Sequence, residues 1–175
     1  MPKHSIFDLS DETLKIDGYN MFHSGLQNRG VCIYTANHLI ANQFEPSSNF
    51  DESVWCEIMN DKEKLIIGCI YRSPSSTDSN CVNLLSLLEE VSSMKYDQLV
   101  IVGDFNYKEV DWPEKYVHAR EDHMAYKTYD KINDLFLTQY VNEPTRYREG
   151  EKPSLLDWVL SDNENTMKIS QSTIP

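Results

Sequence analysis

Leu99-Val100-Ile101-Val102-Gly103-Asp104-Phe105-Asn106 runs four apolar residues into a glycine, then sets a carboxylate and a carboxamide two positions apart. A continuous apolar run this short predicts a central strand, buried on both faces. Alternation along an extended backbone puts Asp104 and Asn106 on one side and turns Phe105 to the other. Such a pair at the carboxyl end of a buried strand suits the orienting of a water and the holding of a phosphate oxygen or metal ion. Asp and Asn are also favoured turn formers. On these residues alone, a site and a turn cap both stay open.

The neighbouring segments supply the rest of a layered domain. Upstream, Thr77 or Asp78 caps a helix through Met94, with Leu84, Leu85, Leu88 and Val91 on one face. Ser53–Met59 and Lys64–Tyr71 read as strands joined by a hairpin turn at Asn60-Asp61-Lys62, and Val31–Thr35 is a further β-rich run. Downstream, a second helix is expected over Met124–Thr138, with Tyr129, Ile132, Leu135 and Phe136 facing inward. Leu156–Leu160 closes the pattern as a late strand. Mixed strands and two amphipathic helices indicate an α/β domain. No repeat or linker divides residues 1–175, so one domain is expected.

Hydrophobic residues make up 40% and aromatics 11%, which argues against disorder. With 16 Lys and Arg against 28 Asp and Glu, the net charge of −12 speaks against generic, charge-driven nucleic-acid binding. It leaves room for an enzyme that holds phosphates through a divalent cation. Cys32, Cys56, Cys69 and Cys81 form no C-x-x-C pair. Cys32, Cys56 and Cys69 sit in apolar runs and are expected to be buried thiols in a reducing compartment. No apolar run is long enough to span a bilayer, and Met1–Ser10 carries no signal-like stretch. An intracellular protein, nuclear or cytoplasmic and not secreted, is the expectation.

Other segments add chemistry. Tyr71-Arg72-Ser73-Pro74 ends an apolar strand with a phenol and a guanidinium, both phosphate donors, although a Tyr at a strand end is also an ordinary interfacial residue. Leu155-Leu156-Asp157-Trp158 sets one carboxylate in an apolar run, and a buried Asp needs a partner or a task. Asn142-Glu143-Pro144-Thr145-Arg146 reads as a loop. His118 and His123 read as exposed loop histidines without a role, and Glu109, Asp111, Glu114, Glu121 and Asp122 as a solvated acidic face.

Taken in order, these motifs resemble the endonuclease/exonuclease/phosphatase superfamily. They are most similar to the apurinic-like endonuclease domains of non-LTR retrotransposons of the Jockey and CR1 kind. The resemblance rests on Gly18–Phe22, Arg29–Tyr34, Tyr71–Pro74, Gly103–Asn106 with Asp111-Trp112, Glu143–Arg146 and Leu156–Ser161, and covers about residues 16–161. It implies a four-layer α/β sandwich, two β-sheets packed together with helices outside. It also implies Mg²⁺-dependent phosphodiester hydrolysis, with Mn²⁺ as an alternative ion.

In that comparison Asp104 corresponds to the carboxylate that handles the attacking water. Asn106 corresponds to the amide that steadies phosphate and water, Tyr71 to a phenol on the phosphate or leaving oxygen, and Asp157 to a carboxylate that orients a catalytic histidine. Asp104 and Asn106 are the candidate metal ligands, and Arg72 and Arg146 the candidate substrate contacts. DNA is the implied partner, with a reverse transcriptase domain in the family polyprotein and no membrane. The resemblance also implies that the first two strands, which carry an Asn and a metal-binding Glu, and the closing Ser-Asp-His with one further strand are missing here. Impaired nicking is therefore expected. A non-catalytic retroelement remnant, a phosphatase of the same fold and a small acidic interaction domain are the other readings.

Overall fold

The computed structural model describes residues 14–24, 30–50, 52–60, 62–150 and 152–163. β1 (Tyr19–Ser24) and β2 (Val31–Ala36) pair antiparallel as a two-stranded ribbon. β3 (Ile40–Phe44), β4 (Ser53–Asn60) and β5 (Glu63–Tyr71) then form an antiparallel meander, in which Asn60 pairs with Glu63 across a tight turn. The helix α1 (Asp78–Ser92) follows, capped by Thr77, whose hydroxyl accepts the Asn80 N–H at 3.2 Å. It delivers the chain to β6 (Gln98–Asp104), which runs parallel to β5, as a helical crossover allows.

Beyond β6, the short pair β7 (Val110–Asp111) and β8 (Tyr116–Val117) precedes α2 (Met124–Asp134). β9 (Thr138–Gln139) and β10 (Asp157–Ser161) complete a six-stranded sheet of order β3-β4-β5-β6-β10-β9. No described helix is long and apolar enough to cross a membrane.

The period-2 alternation divides the large sheet into two faces. Trp55, Ile66, Ile70, Leu99, Ile101, Trp158 and Leu160 point to one face and join Leu84, Leu87, Leu88, Val91 and Ile132 of the helices in the core. The opposite face of β4 and β5 packs against the β1–β2 ribbon, where Val54, Cys56 and Ile58 are buried. Two sheets thus lie face to face with helices outside, the mixed α/β sandwich expected from the sequence. Gly68 opens the floor for Trp55, its partner across β4 and β5: a Cβ there would stand 2.2 Å from the indole ring.

Several expectations need correction. Only one face of the apolar stretch in β6 is fully buried, through Leu99 and Ile101, while Val100 and Val102 are half-buried. Cys32 is exposed and Cys69 half-buried, since β2 belongs to a two-stranded ribbon that cannot cover every position. α2 stops at Asp134, and Phe136, expected to face inward, is 86% exposed.

Phe136 occupies the left-handed turn that ends the helix, with φ 56°. Its N–H reaches the Asn133 carbonyl at 2.9 Å, and the Leu137 N–H reaches the Ile132 carbonyl at 3.1 Å. Glycine is the usual occupant of such a position, and a side chain there costs about 1–2 kcal/mol. Phe136→Gly is therefore expected to stabilise the fold by about 1 kcal/mol, read as a higher urea midpoint. A lower midpoint would show that the exposed ring contributes contacts of its own.

Candidate active site

The carboxyl ends of the parallel strands β5 and β6 open at one edge of the sheet, and β10 starts beside them in the opposite direction. The register brings three site residues into one row: Tyr71 opposite Asp104, and Asp104 opposite Asp157. Partners in register share a face. Asp104 closes β6 directly after Gly103, whose φ is 150°. A Cβ on Gly103 would lie 1.8 Å from the Ile70 carbonyl oxygen, so only glycine lets β6 run this close to β5.

The chain then turns sharply. Asn106 takes a left-handed conformation (φ 53°), and its backbone N–H donates to Asp104 Oδ1 at 3.1 Å, so Asp104 does act as a turn cap. The Asn106 side chain donates from Nδ2 to the Arg72 carbonyl at 2.9 Å. Phe105 points the other way, as alternation predicts. It is fully buried and stacks on Trp158 with ring centroids 4.4 Å apart, while its N–H bonds the Leu156 carbonyl at 2.9 Å.

Asp104, Asn106 and Asp157 line one cleft of about 720 Å³, with Lys108, Arg146 and Arg148 around them and His123 and Met124 from the start of α2. Tyr71 stands in the same row at the strand end, half-buried and outside the residues lining the cleft. The Asp104 carboxyl is held above its usual range. Burial is the first cause and the neighbouring Asp157 charge the second, with the Asn106 hydrogen bonds and Arg146 pulling the other way.

Three assignments change. Asp157 is exposed rather than buried, because it begins β10 at the mouth of the cleft instead of lying inside the strand. Arg72 borders the same cleft but is largely buried, with 8% of its surface exposed, and its Nε and Nη1 donate into the protein. His123 is exposed as expected but has a role: its Nδ1 accepts the Ala125 N–H at 3.1 Å and caps α2. His118 lies 3.7 Å from Asp111, which also stands 4.0 Å from Lys152, so that part of the acidic face is paired. A second cleft, of about 610 Å³, adjoins the first through Lys108 and Arg146 and includes Trp112 and Lys152.

Thr145, read from sequence as part of a loop, anchors the site. Its Oγ1 accepts the N–H groups of both Leu156 and Asp157 at 3.1 Å. The backbone of residues 145 and 146 bridges to Ser154. The available signal was a hydroxyl beside Arg146, too common a pairing to read alone. Thr145→Val leaves two N–H groups without an acceptor, and the expected loss is about 1–3 kcal/mol in urea unfolding. An unchanged midpoint would mean that water takes over both bonds.

Among the described residues no group of three or more His, Cys, Asp or Glu side chains is arranged to hold a metal ion. The oxygens that could share one are those of Asp104, Asp157 and the Asn106 amide. They are hard donors, suited to Mg²⁺ or Mn²⁺. The charge of Asp157 is one of the causes that raise Asp104, and a cation between the two carboxylates would relieve it.

A family model described as endonuclease-reverse transcriptase matches residues 65–174. The endonuclease domain of TRAS1, a telomere-specific non-LTR retrotransposon, superposes with a TM-score of 0.60 at 18% identity, over 83% of this chain and 67% of that one. NExo, a 3′ phosphatase from Neisseria solved with a product DNA hairpin, gives 0.56 at 17% identity over 88% and 70%. An endonuclease/exonuclease/phosphatase family protein from Leptotrichia buccalis gives 0.50 at 16% identity over 87% and 64%. The chain thus spans about two thirds of the length of each of these structures, and at such identities they establish the fold. No protein with a curated description matches the sequence.

Proposed function

Because the chain belongs to the endonuclease-reverse transcriptase family and has the fold of a retrotransposon endonuclease domain, we propose that its cleft hydrolyses DNA phosphodiester bonds with the help of Mg²⁺. The observation that carries this reading is the row Asp104–Asp157 at the strand ends, with Asn106 beside it and Arg146 above.

Asp104 orients the attacking water and accepts its proton. The Asn106 amide steadies the phosphate oxygen or the water. Tyr71, from the adjacent strand end, offers a phenol to the phosphate or leaving oxygen. Arg146 holds the phosphate against the acidic chain, and Lys108 and Arg148 extend that positive rim. A bound Mg²⁺ or Mn²⁺ would stabilise the charge that builds on the phosphoryl oxygens. Asp104, Asp157 and Asn106 would hold it.

Two carboxylates grip Mg²⁺ weakly until substrate phosphates complete the shell. Slow nicking that needs metal in excess therefore follows, with residues 1–175 acting as one catalytic domain. In the full protein a reverse transcriptase would follow the cut. The test is a duplex oligonucleotide with an internal label and a 3′-terminal phosphate, incubated with excess Mg²⁺. Internal cleavage supports the proposal. Release of the terminal phosphate alone would make the chain a phosphatase, and neither product from a folded chain would make it a non-catalytic remnant.

A further inference from the structure

We propose that Arg72 is a positioning residue of this site: from the wall of the cleft, through Nε, Nη1 and its backbone, it fixes the turn at Asn106, and with it the aim of Asp104 and the Asn106 amide. The role rests on the hydrolytic reading above, whereas the geometry stands apart from it. Arg72 follows directly after β5, yet it is tied to four consecutive residues, from Asp104 at the end of β6 to Tyr107. Its backbone N–H donates to the Asp104 carbonyl at 2.8 Å. Its Nη1 donates to the carbonyls of Phe105 and Asn106, both at 3.3 Å. Its own carbonyl receives Asn106 Nδ2 at 2.9 Å. The guanidinium carbon lies 3.9 Å from the centroid of the Tyr107 ring. Nε donates to Cys81 Sγ at 3.3 Å, which links the same group to α1.

A buried cation lowers stability unless its donors are met, and here carbonyls and a sulfur meet Nη1 and Nε while an aromatic face covers the plane. The reciprocal bonds hold Asn106 at φ 53°, a conformation an unrestrained Asn would leave for others. Tyr107 is locked in turn: it is buried, its hydroxyl lies 3.0 Å from Thr128 of α2, and its ring stacks on Trp158. Arginine is required rather than a generic cation. Nη1 reaches two carbonyls and Nε a thiol from one rigid plane whose flat face rests on a ring, a combination that a lysine ammonium does not reproduce.

The wild-type chain allows a test that needs no variant. With DNA present and EDTA to prevent cleavage, the Arg72 Nε–H resonance is followed by NMR as a short duplex is added. A slowly exchanging signal before DNA is added, and no shift when the duplex saturates, are the expected results. A fast-exchanging signal, or one that moves with DNA as a phosphate ligand would, overturns it. Arg72→Lys and Tyr107→Leu then separate the roles in nicking kinetics. Misplacement of the reacting groups lowers kcat by about 100-fold with KM and salt dependence unchanged. A raised KM with kcat intact, and a salt slope smaller by about one, would make Arg72 a phosphate contact instead. If the wild-type chain does not nick DNA, the hydrolytic reading fails by itself, and the exchange measurement still decides whether Arg72 holds the turn.

Discussion

Asp104→Asn is expected to lower the nicking rate by about 100-fold or more while leaving the melting temperature unchanged or higher. The two effects have one source. Burial and the neighbouring Asp157 raise the Asp104 carboxyl, so the folded chain holds that proton more tightly than the unfolded chain does. Near neutral pH the ionised carboxylate therefore opposes folding, and this opposition fades as the pH falls through the raised folded value. Asn keeps an oxygen for the Asn106 N–H, the 3.1 Å bond that shapes the turn, and removes the charge. Melts of the two chains are expected to differ most near neutrality and to converge on acidification. A variant that melts lower at neutral pH would show that the Asp104 charge stabilises the fold, contrary to this account.

Gly103→Ala is expected to cost on the order of 3 kcal/mol and to abolish nicking with it. The added Cβ would stand 1.8 Å from the carbonyl oxygen of Ile70, which is backbone of the neighbouring strand and cannot rotate aside. The residue also has φ 150°, a conformation L side chains rarely adopt. Relief requires β5 and β6 to part at the end where Tyr71 and Asp104 stand in register. Gly150→Ala is the control. Its φ of 79° is also positive, but nothing lies within 4 Å of the new methyl, so only about 1 kcal/mol is expected. Urea unfolding of the two variants separates the effect of the close approach from that of φ alone. Equal losses would mean that β5 and β6 tolerate the methyl.

What could be read from the sequence divides by the range of the interaction that decides it. α1 was legible because its cap and its apolar face lie within one helix, Thr77 at the start and Leu84, Leu88 and Val91 along it. The direction of Phe105 was legible because alternation is local. The proximity of Asp104 and Asp157 was implied only by family resemblance, since the pairing of β6 with β10 joins segments some fifty residues apart. Alternation says which way a side chain points but not what covers it, so Asp157 was misread as buried and Cys32 as a core thiol. The inward bonds of Arg72 were not legible for a related reason: a guanidinium at a strand end faces either solvent or the next loop, and only the fold places the Phe105 and Asn106 carbonyls within its reach. Phe136 ends its helix in a conformation that glycine normally signals, so periodicity carried the predicted helix too far.

The most direct measurement is the conversion of supercoiled plasmid to open circles by the wild-type chain, run in excess Mg²⁺ and again in EDTA. The protein must first be shown to melt cooperatively. Slow nicking that requires the metal is the result this account predicts. A folded chain that leaves the plasmid supercoiled at every Mg²⁺ concentration would contradict it, and would leave the row at the strand ends as a scaffold without its chemistry.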